Sequence, residues 1–345
     1  MEAVGRSDRT NNSMANMEEF NYIIVHPTAA DEVGMKQLWQ SCFLNDGDEF
    51  IDYYFRERTK YENTYCVFKK GTANEDGTKD IISMLHVIPM RFEAIAAGDF
   101  RRRIVLVGFI AGVATAPEYR KRGIATALLR ATEQVCKGRF AALVLSPANE
   151  LFYRHAGYKT VSYRSIHVQE RDTFLCDYRS KAEAKPPHFP RTSEMKYIYD
   201  SFMNGIGEGC TRKTFYAMRT ESGFERLLRE YSTEGGLALS NGGAYALGYI
   251  TERDGKKELE LNEFAYENKS SAFMLIDSLF GFADKVELPL PISDTLLPDK
   301  GRVEPLNMIR VLDKGFFDSL GVESIETYLE KLGKKGCEVY SFELY

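Results

Sequence analysis

Arg120, Lys121, Arg122 and Gly123 are the residues of this sequence best suited to chemistry. They follow an apolar stretch that closes with Val113-Ala114-Thr115-Ala116-Pro117. They precede Ile124-Ala125-Thr126, where an amphipathic helix starts. The pattern predicts a strand, a basic loop, and a helix whose N-terminus is left open for an anion. Unpaired N–H groups of a first helical turn suit phosphate oxygens, and the helix dipole adds to the attraction. Gly123 allows close approach of the backbone because no side chain holds a ligand off. Taken alone, the basic triplet also fits a solvated loop. The glycine and the helix start favour the anion reading.

Tyr153 is the candidate general acid. A phenol of pKa about 10 stays protonated at neutral pH and can donate to a leaving anion. With 20 Tyr and 22 Phe in the chain, a core aromatic beside Phe152 is the competing reading. Ser146 and Asn149 follow an apolar strand. They either hydrogen-bond a ligand or cap a short helix, since Ser and Asn favour both tasks. Asp46, Asp48, Glu49 and Asp52 either attract a cationic substrate or form a solvated face.

The bulk numbers bound these readings. The chain has 345 residues, more than one compact core usually holds, so two domains are expected. Hydrophobic residues make up 44% and charged residues 28%, as in ordinary globular proteins. A net charge of -5 argues against a nucleic-acid binder. No apolar run reaches the length of a membrane span, and the polar start has no signal-peptide core. A cytoplasmic protein with no membrane partner is the expectation. Six cysteines show no Cys-x-x-Cys spacing, which points to buried reduced thiols. Only Cys136 lies near the motifs in sequence. Five scattered histidines suggest no metal site.

The elements that must position these residues follow from periodicity. Residues 21–25 read as a strand and 31–44 as a helix with Val33, Leu38 and Cys42 on one side. Residues 50–55 read as a second short helix. Strands are expected at 64–69, 81–87, 91–97 and 103–115, with Asp76-Gly77 as a hairpin signal. Ile124, Leu128, Ala131 and Val135 form the sheet-facing stripe of the helix after Gly123. A buried strand at 141–146, the short helix around Phe152-Tyr153, and a strand at 160–168 complete the first half.

Residues 177–192 are rich in proline and charge and read as a linker. Beyond them, 193–203 and 211–231 look helical. A hairpin turns at Asn241-Gly242-Gly243, and 258–266 pairs next across Asp254-Gly255. A helix at 270–283 and strands at 286–290 and 308–312 follow. This half repeats the rhythm of the first without its basic loop, offering Tyr266-Glu267-Asn268-Lys269 instead. It reads as a structural duplicate without a cofactor. The expected organisation is a leader at 1–19, a binding domain at 20–175, a linker at 176–192, a degenerate domain at 193–313 and a C-terminal segment at 314–345. The fold class is α/β (α+β), in two tandem domains. Each is a twisted, mixed, mostly antiparallel sheet flanked by helices.

Arg120-x-x-Gly123-x-Ala125 after an apolar strand resembles the acetyl-CoA pyrophosphate loop of GCN5-related N-acetyltransferases (GNAT). Phe152-Tyr153-x-x-x-Gly157-Tyr158 is similar to the later motif of that superfamily, in which a tyrosine approaches the cofactor sulfur. With a degenerate second domain, the chain resembles the enhanced intracellular survival (Eis)-like tandem acetyltransferases. Few residues follow Leu312, so the sterol-carrier-like domain of the longer members is expected to be absent or reduced to a remnant. The resemblance implies acetyl-CoA as cofactor and acetyl transfer to a primary amine of a small molecule or peptide by direct attack in a ternary complex. Val113, Ala114 and Thr115 would line the pantetheine arm. Arg120, Lys121, Arg122, Gly123, Ile124, Ala125 and Thr126 would hold the pyrophosphate, with Ser146, Asn149 and Phe152 beside the cofactor. Tyr153 would be the acid. Family members assemble through their domains, so a homo-oligomer is expected. The resemblance also implies the terminal carboxylate of Tyr345 as a base, an ordinary edge strand at 339–345 being the alternative. A non-catalytic acyl-CoA-binding scaffold on the same duplicated fold is the other function open to this sequence.

Overall fold

The computed structural model describes residues 22–73, 79–178, 186–206 and 211–343, which fall into two compact units. One takes the described residues up to Ile88 together with Ile110–Cys136. The other takes Pro89–Phe109 and the described residues from Lys137 onward.

The first unit contains β1 (Tyr22–Val25), α1 (Glu32–Cys42), α2 (Asp48–Glu57), β2 (Thr64–Ala73), the start of β3 (Lys79–Ile95), the end of β4 (Arg102–Thr115) and α3 (Ile124–Cys136). β1 runs antiparallel to β2, and β2 antiparallel to β3 with Thr64 opposite His86. β3 is one strand where the sequence suggests two. Pro89 lies inside it on an exposed position, where a missing N–H is tolerated. The Asp76-Gly77 turn lies outside the described residues.

Helical burial departs from the expected stripes. α1 buries Met35, Leu38 and Trp39 and leaves Val33 64% exposed. α3 buries Ile124, Leu128, Leu129, Thr132 and Cys136, and leaves Val135 57% exposed. At about 100° per residue, Leu129 and Cys136 draw the buried arc away from the side that carries Val135.

A knot of rings closes this core. His86 is fully buried, with ring centres 6.1 Å from Trp39, 5.6 Å from Tyr54 and 5.6 Å from Phe55. Its Nδ1 lies 2.9 Å from the Thr64 hydroxyl. Burial lowers its pKa from 6.5 to about 3. Gly112 of β4 has φ 58°, and a Cβ there would lie 2.6 Å from Trp39 and 2.7 Å from His86. Only glycine fits, and the strand kinks at this residue.

The second unit continues with β5 (Ala142–Leu145), α4 (Glu150–His155), β6 (Lys159–Glu170) and α5 (Arg171–Tyr178). There follow α6 (Thr192–Met203), β7 (Arg212–Thr214), β8 (Tyr216–Ala217) and α7 (Glu221–Thr233). β9 (Leu237–Ser240), β10 (Ala244–Arg253), β11 (Lys256–Tyr266), α8 (Lys269–Leu279), β12 (Lys285–Pro291) and β13 (Arg302–Val311) come next. α9 (Gly315–Leu320), α10 (Ile325–Gly333) and β14 (Cys337–Val339) end the described chain.

The strand order here is β4-β5-β13-β6-β12-β11-β10-β9. β4 pairs parallel with β5 over Val107–Phe109, and the chain between them carries α3. β11 pairs parallel with β12, and the chain between them carries α8. The same strand–helix–strand unit is thus built twice. The last strands of the two halves then cross over. β13 inserts antiparallel between β5 and β6, with Ile309 opposite both Val144 and Lys159. β6 pairs antiparallel with β12.

Three expectations change in this unit. Residues 211–218 form β7 and β8, and the helix starts only at Glu221, where Thr220 accepts from the Gly223 N–H at 3.1 Å. α5 runs to Tyr178, and His188 exchanges two backbone bonds of 2.9 Å with Ser240, so both ends of the expected linker are structured. The apolar run from Val339 is no alternating strand. Tyr340, Ser341, Phe342 and Glu343 are all buried; the Tyr340 N–H donates to the Thr214 carbonyl at 3.3 Å, and side chains grip the residues after it. Asn307 donates to the Glu343 carbonyl at 3.3 Å, and the Phe342 ring stacks on Phe202 at 5.7 Å. Leu344 and Tyr345 lie outside the described residues.

Arg219 anchors that segment. Its guanidinium donates to both Glu263 oxygens at 2.7 and 2.8 Å and to Glu343 at 3.0 Å; the two glutamates are buried and the Arg219 side chain is 10% exposed. Burial works to discharge Arg219, but Glu263 and Glu343 outweigh it and raise its pKa. Among the described residues, no helix is long and apolar enough to cross a membrane.

Two stability predictions follow from these cores. Arg219→Met leaves two buried carboxylates without their cation and is expected to cost about 3–5 kcal/mol in urea unfolding at pH 7. His86 is neutral when folded and binds a proton once unfolded below pH 6.5, so stability falls as pH drops toward 3. From pH 7 to 5 this one group should cost about 2 kcal/mol. His86→Gln should flatten the slope of unfolding free energy against pH by that amount.

Candidate active site

The basic loop sits in the first unit. The Ala116 N–H donates to the Ile82 carbonyl at 2.9 Å, and a short turn over Pro117–Tyr119 follows. The backbone then takes left-handed φ at Lys121 (61°) and again at Gly123 (76°). Turns of this kind aim successive N–H groups to one side and make a concavity for anions. Among the described residues, the N–H groups of Lys121 through Thr126 meet no hydrogen-bond partner. A Cβ on Gly123 would touch nothing within 4 Å, so the space before the helix is open.

Arg120 is exposed and is tied back to the end of β4. Its Nε donates to the Thr115 carbonyl at 3.0 Å, and its Nη2 lies 3.4 Å from the Cys42 sulfur. It braces the loop against the end of β4. Lys121 and Arg122 stay exposed, and the Arg122 guanidinium lies 5.4 Å from the Tyr119 ring centre. Cys42 therefore joins Cys136 as a cysteine near the motifs, brought there by the packing of α1. Cys136 itself is fully buried. Of the strand residues, Ala114 accepts from the Ser83 hydroxyl at 2.7 Å, and the Thr115 hydroxyl lies 2.8 Å from that same oxygen. Val113 is half-buried.

A cavity of about 680 Å³ opens in this unit, lined in part by Asp31, Val33, Gln37, Asp80, Glu118 and Tyr119. Three carboxylates at its wall suit a cation, and the exposed Val33 belongs to its lining. Three of the four acidic residues around the start of α2 are bonded within the unit. Asp46 accepts from Trp39 at 2.7 Å, Asp48 from Gln40 at 2.7 Å and Asp52 from Lys36 at 2.8 Å. These bonds tie α1 to α2 and its leading loop. Burial raises the pKa of Asp46.

Ser146, Asn149, Phe152 and Tyr153 belong to the second unit. Ser146 is half-buried just past β5. Asn149 caps α4, accepting from the Phe152 N–H at 3.1 Å, so the capping alternative is realised. Tyr153 is 8% exposed, with the Phe152 ring at 4.9 Å and the Tyr158 ring at 6.0 Å. Burial pushes its phenol up to about 12, which keeps it protonated at neutral pH. Tyr345 lies outside the described residues.

The duplicated helix α8 differs at its start. Asn268 accepts from the Ser271 N–H at 2.9 Å and closes the turn that α3 leaves open. Gly112, which kinks β4 just before the site strand, was missed in the sequence. A glycine inside a β-branched run was its only signal.

Residues 24–161 match the model of the acetyltransferase (GNAT) domain. No curated protein matches the chain. Solved structures do. A GCN5-related N-acetyltransferase from Anabaena variabilis shares 18% identity over 85% of this chain and 73% of its own, with a TM-score of 0.60. One from Kribbella flavida shares 16% over 85% and 71%, with a TM-score of 0.59. Eis1 from Mycobacterium abscessus shares 13% over 86% and 75%, also at 0.59. At such identities the likeness speaks for the fold alone. The open, glycine-bearing helix start and the matched family model meet on the same residues. Residues 24–161 of this chain are similar to the acetyltransferase (GNAT) domain, and the chain has the fold of the solved GCN5-related N-acetyltransferases over about 85% of its length.

Proposed function

We propose that this protein is an acetyl-CoA-dependent N-acetyltransferase acting on a primary amine. One observation carries the reading most: the fan of N–H groups from Lys121 to Thr126, open in front of Gly123 inside a GNAT domain. These donors fit a diphosphate, and Lys121 and Arg122 add charge beside them. Acetyl-CoA would supply the activated acetyl group as a thioester. Strand residues Val113 to Thr115 would align the arm of the cofactor, and Ser146, Asn149 and Phe152 would border it.

Tyr153 would hold its proton until the thiolate leaves and then donate it. A phenol pushed up to about 12 is protonated throughout the working range of such an enzyme. The burial of Cys136 favours direct attack by the amine over an acetyl-cysteine on that residue. The acidic wall of the first-unit cavity favours a cationic acceptor.

The test is thiol release from acetyl-CoA with an aminoglycoside, spermidine, a lysine peptide and a peptide with a free N-terminus. Turnover with at least one amine is expected. Calorimetric binding of acetyl-CoA without turnover by any amine would support the scaffold reading. Tyr153→Phe should lower kcat by about 10²–10⁴ and leave acetyl-CoA affinity within two-fold of the wild type, about 0.4 kcal/mol. Gly123→Val projects its side chain into open space at the loop and should weaken acetyl-CoA binding at least ten-fold, about 1.4 kcal/mol. Unchanged affinity in that variant would remove the loop from the cofactor site.

A further inference from the structure

α4 is only six residues long, too short to hold its own geometry. Where Tyr153 points depends on what pins the two ends of this helix. At the first end Glu150 accepts from Arg154 at 2.7 Å and from the Thr160 hydroxyl. At the other end the pin comes from the far half of the chain. Arg310 stands on β13, opposite Leu143 of β5. Its Nη1 donates to the Gly157 carbonyl at 3.1 Å. Gly157 has φ 94°, and a Cβ there would lie 2.7 Å from Nη1 and 3.1 Å from the guanidinium carbon. The guanidinium fills the place a side chain would take. The turn it grips is the one that returns to the tyrosine, because the Tyr158 N–H donates to the Tyr153 carbonyl at 2.9 Å.

We propose that Arg310 is the positioning residue for Tyr153, and that the degenerate half of the chain acts on acetyl transfer through this guanidinium. The proposal rests on the reading of Tyr153 as the general acid. The chemistry suits the task. A cation at the C-terminal end of a helix is favourable, and a charge-assisted bond to a carbonyl is stronger than a neutral one. The insertion of β13 between β5 and β6 delivers the cation to this turn, beside strands from the domain it serves. It also gives the glycine of the Tyr-x-x-x-Gly-Tyr motif a second reason: one for φ, one for the guanidinium.

The experiment is a double-mutant cycle on the full chain, with acetyl-CoA and the fastest amine of the panel above. Arg310→Met should lower kcat about ten-fold to a hundred-fold, since small misplacements of a reacting group have that effect. KM for acetyl-CoA should stay within two-fold. Arg310→Lys keeps a charged donor and should recover part of the loss. The double variant Arg310→Met/Tyr153→Phe should be no slower than Tyr153→Phe alone. Wild-type kcat in Arg310→Met overturns the proposal, as does a double variant slowed by the product of the two single effects. If Arg310→Met does not fold, Arg310→Gln takes its place in the cycle. A silent Tyr153→Phe overturns the acid reading and this proposal together. A slow Tyr153→Phe beside a silent Arg310 variant overturns this proposal only.

Discussion

The backbone of β13 is the constraint on which the second unit depends. β5 and β6 follow one another closely in sequence, yet they are not neighbours in the sheet. β13 lies between them and offers each an antiparallel ladder. β5 is only four residues long and wholly buried, so its N–H and C=O groups need a partner on both sides. β4 provides one and β13 the other. Removing the C-terminal half would leave a buried edge with nothing to pair it. The last strands of the two halves are therefore interleaved in one sheet of the second unit.

The duplicated helices begin differently. Both halves build a parallel strand pair around a helix, and the two helix starts differ in one physical respect. At α3 the turn is left-handed at Lys121 and Gly123 and its donors face open space. At α8 an asparagine side chain occupies the turn. A left-handed Lys121 is costly for a residue with a Cβ, and strain of that sort gathers at functional loops. The loop is braced for it by Arg120, which reaches back to Thr115 and Cys42. The Arg120 guanidinium thus also serves the shape of the loop.

Kinks and burial prepare the strand before that loop. Gly112 lets β4 turn over the ring knot of Trp39 and His86, just before Val113 to Thr115. His86 packs against that glycine and is neutral there. In the second unit Arg219 plays a comparable part. It closes Glu263 and Glu343 into one network and holds Tyr340–Glu343 inside the unit, although that segment has no ladder of its own.

Local chemistry alone determined the loop, its glycine, the helix that follows it, the Phe152-Tyr153 helix and the repeated strand–helix rhythm of the two halves. Each depends on residues within a few positions of one another, where caps, periodicity and backbone freedom leave a mark in the sequence. The helix faces were misjudged at Val33 and Val135, because a stripe can be drawn at several angles and only the neighbouring core selects one. Arg212–Thr214 and Tyr216–Ala217 are strands where the sequence suggests helix, because pairing with β14 and β3 overrides local preference. Only the tertiary structure decided that β13 separates β5 from β6, that Cys42 reaches Thr115, and that Arg310 occupies the space beside Gly157. Those contacts join residues 73 and 153 positions apart or more, as the Cys42–Thr115 and Arg310–Gly157 bonds show. Nothing local distinguishes an arginine that will meet a carbonyl there from one that stays in water.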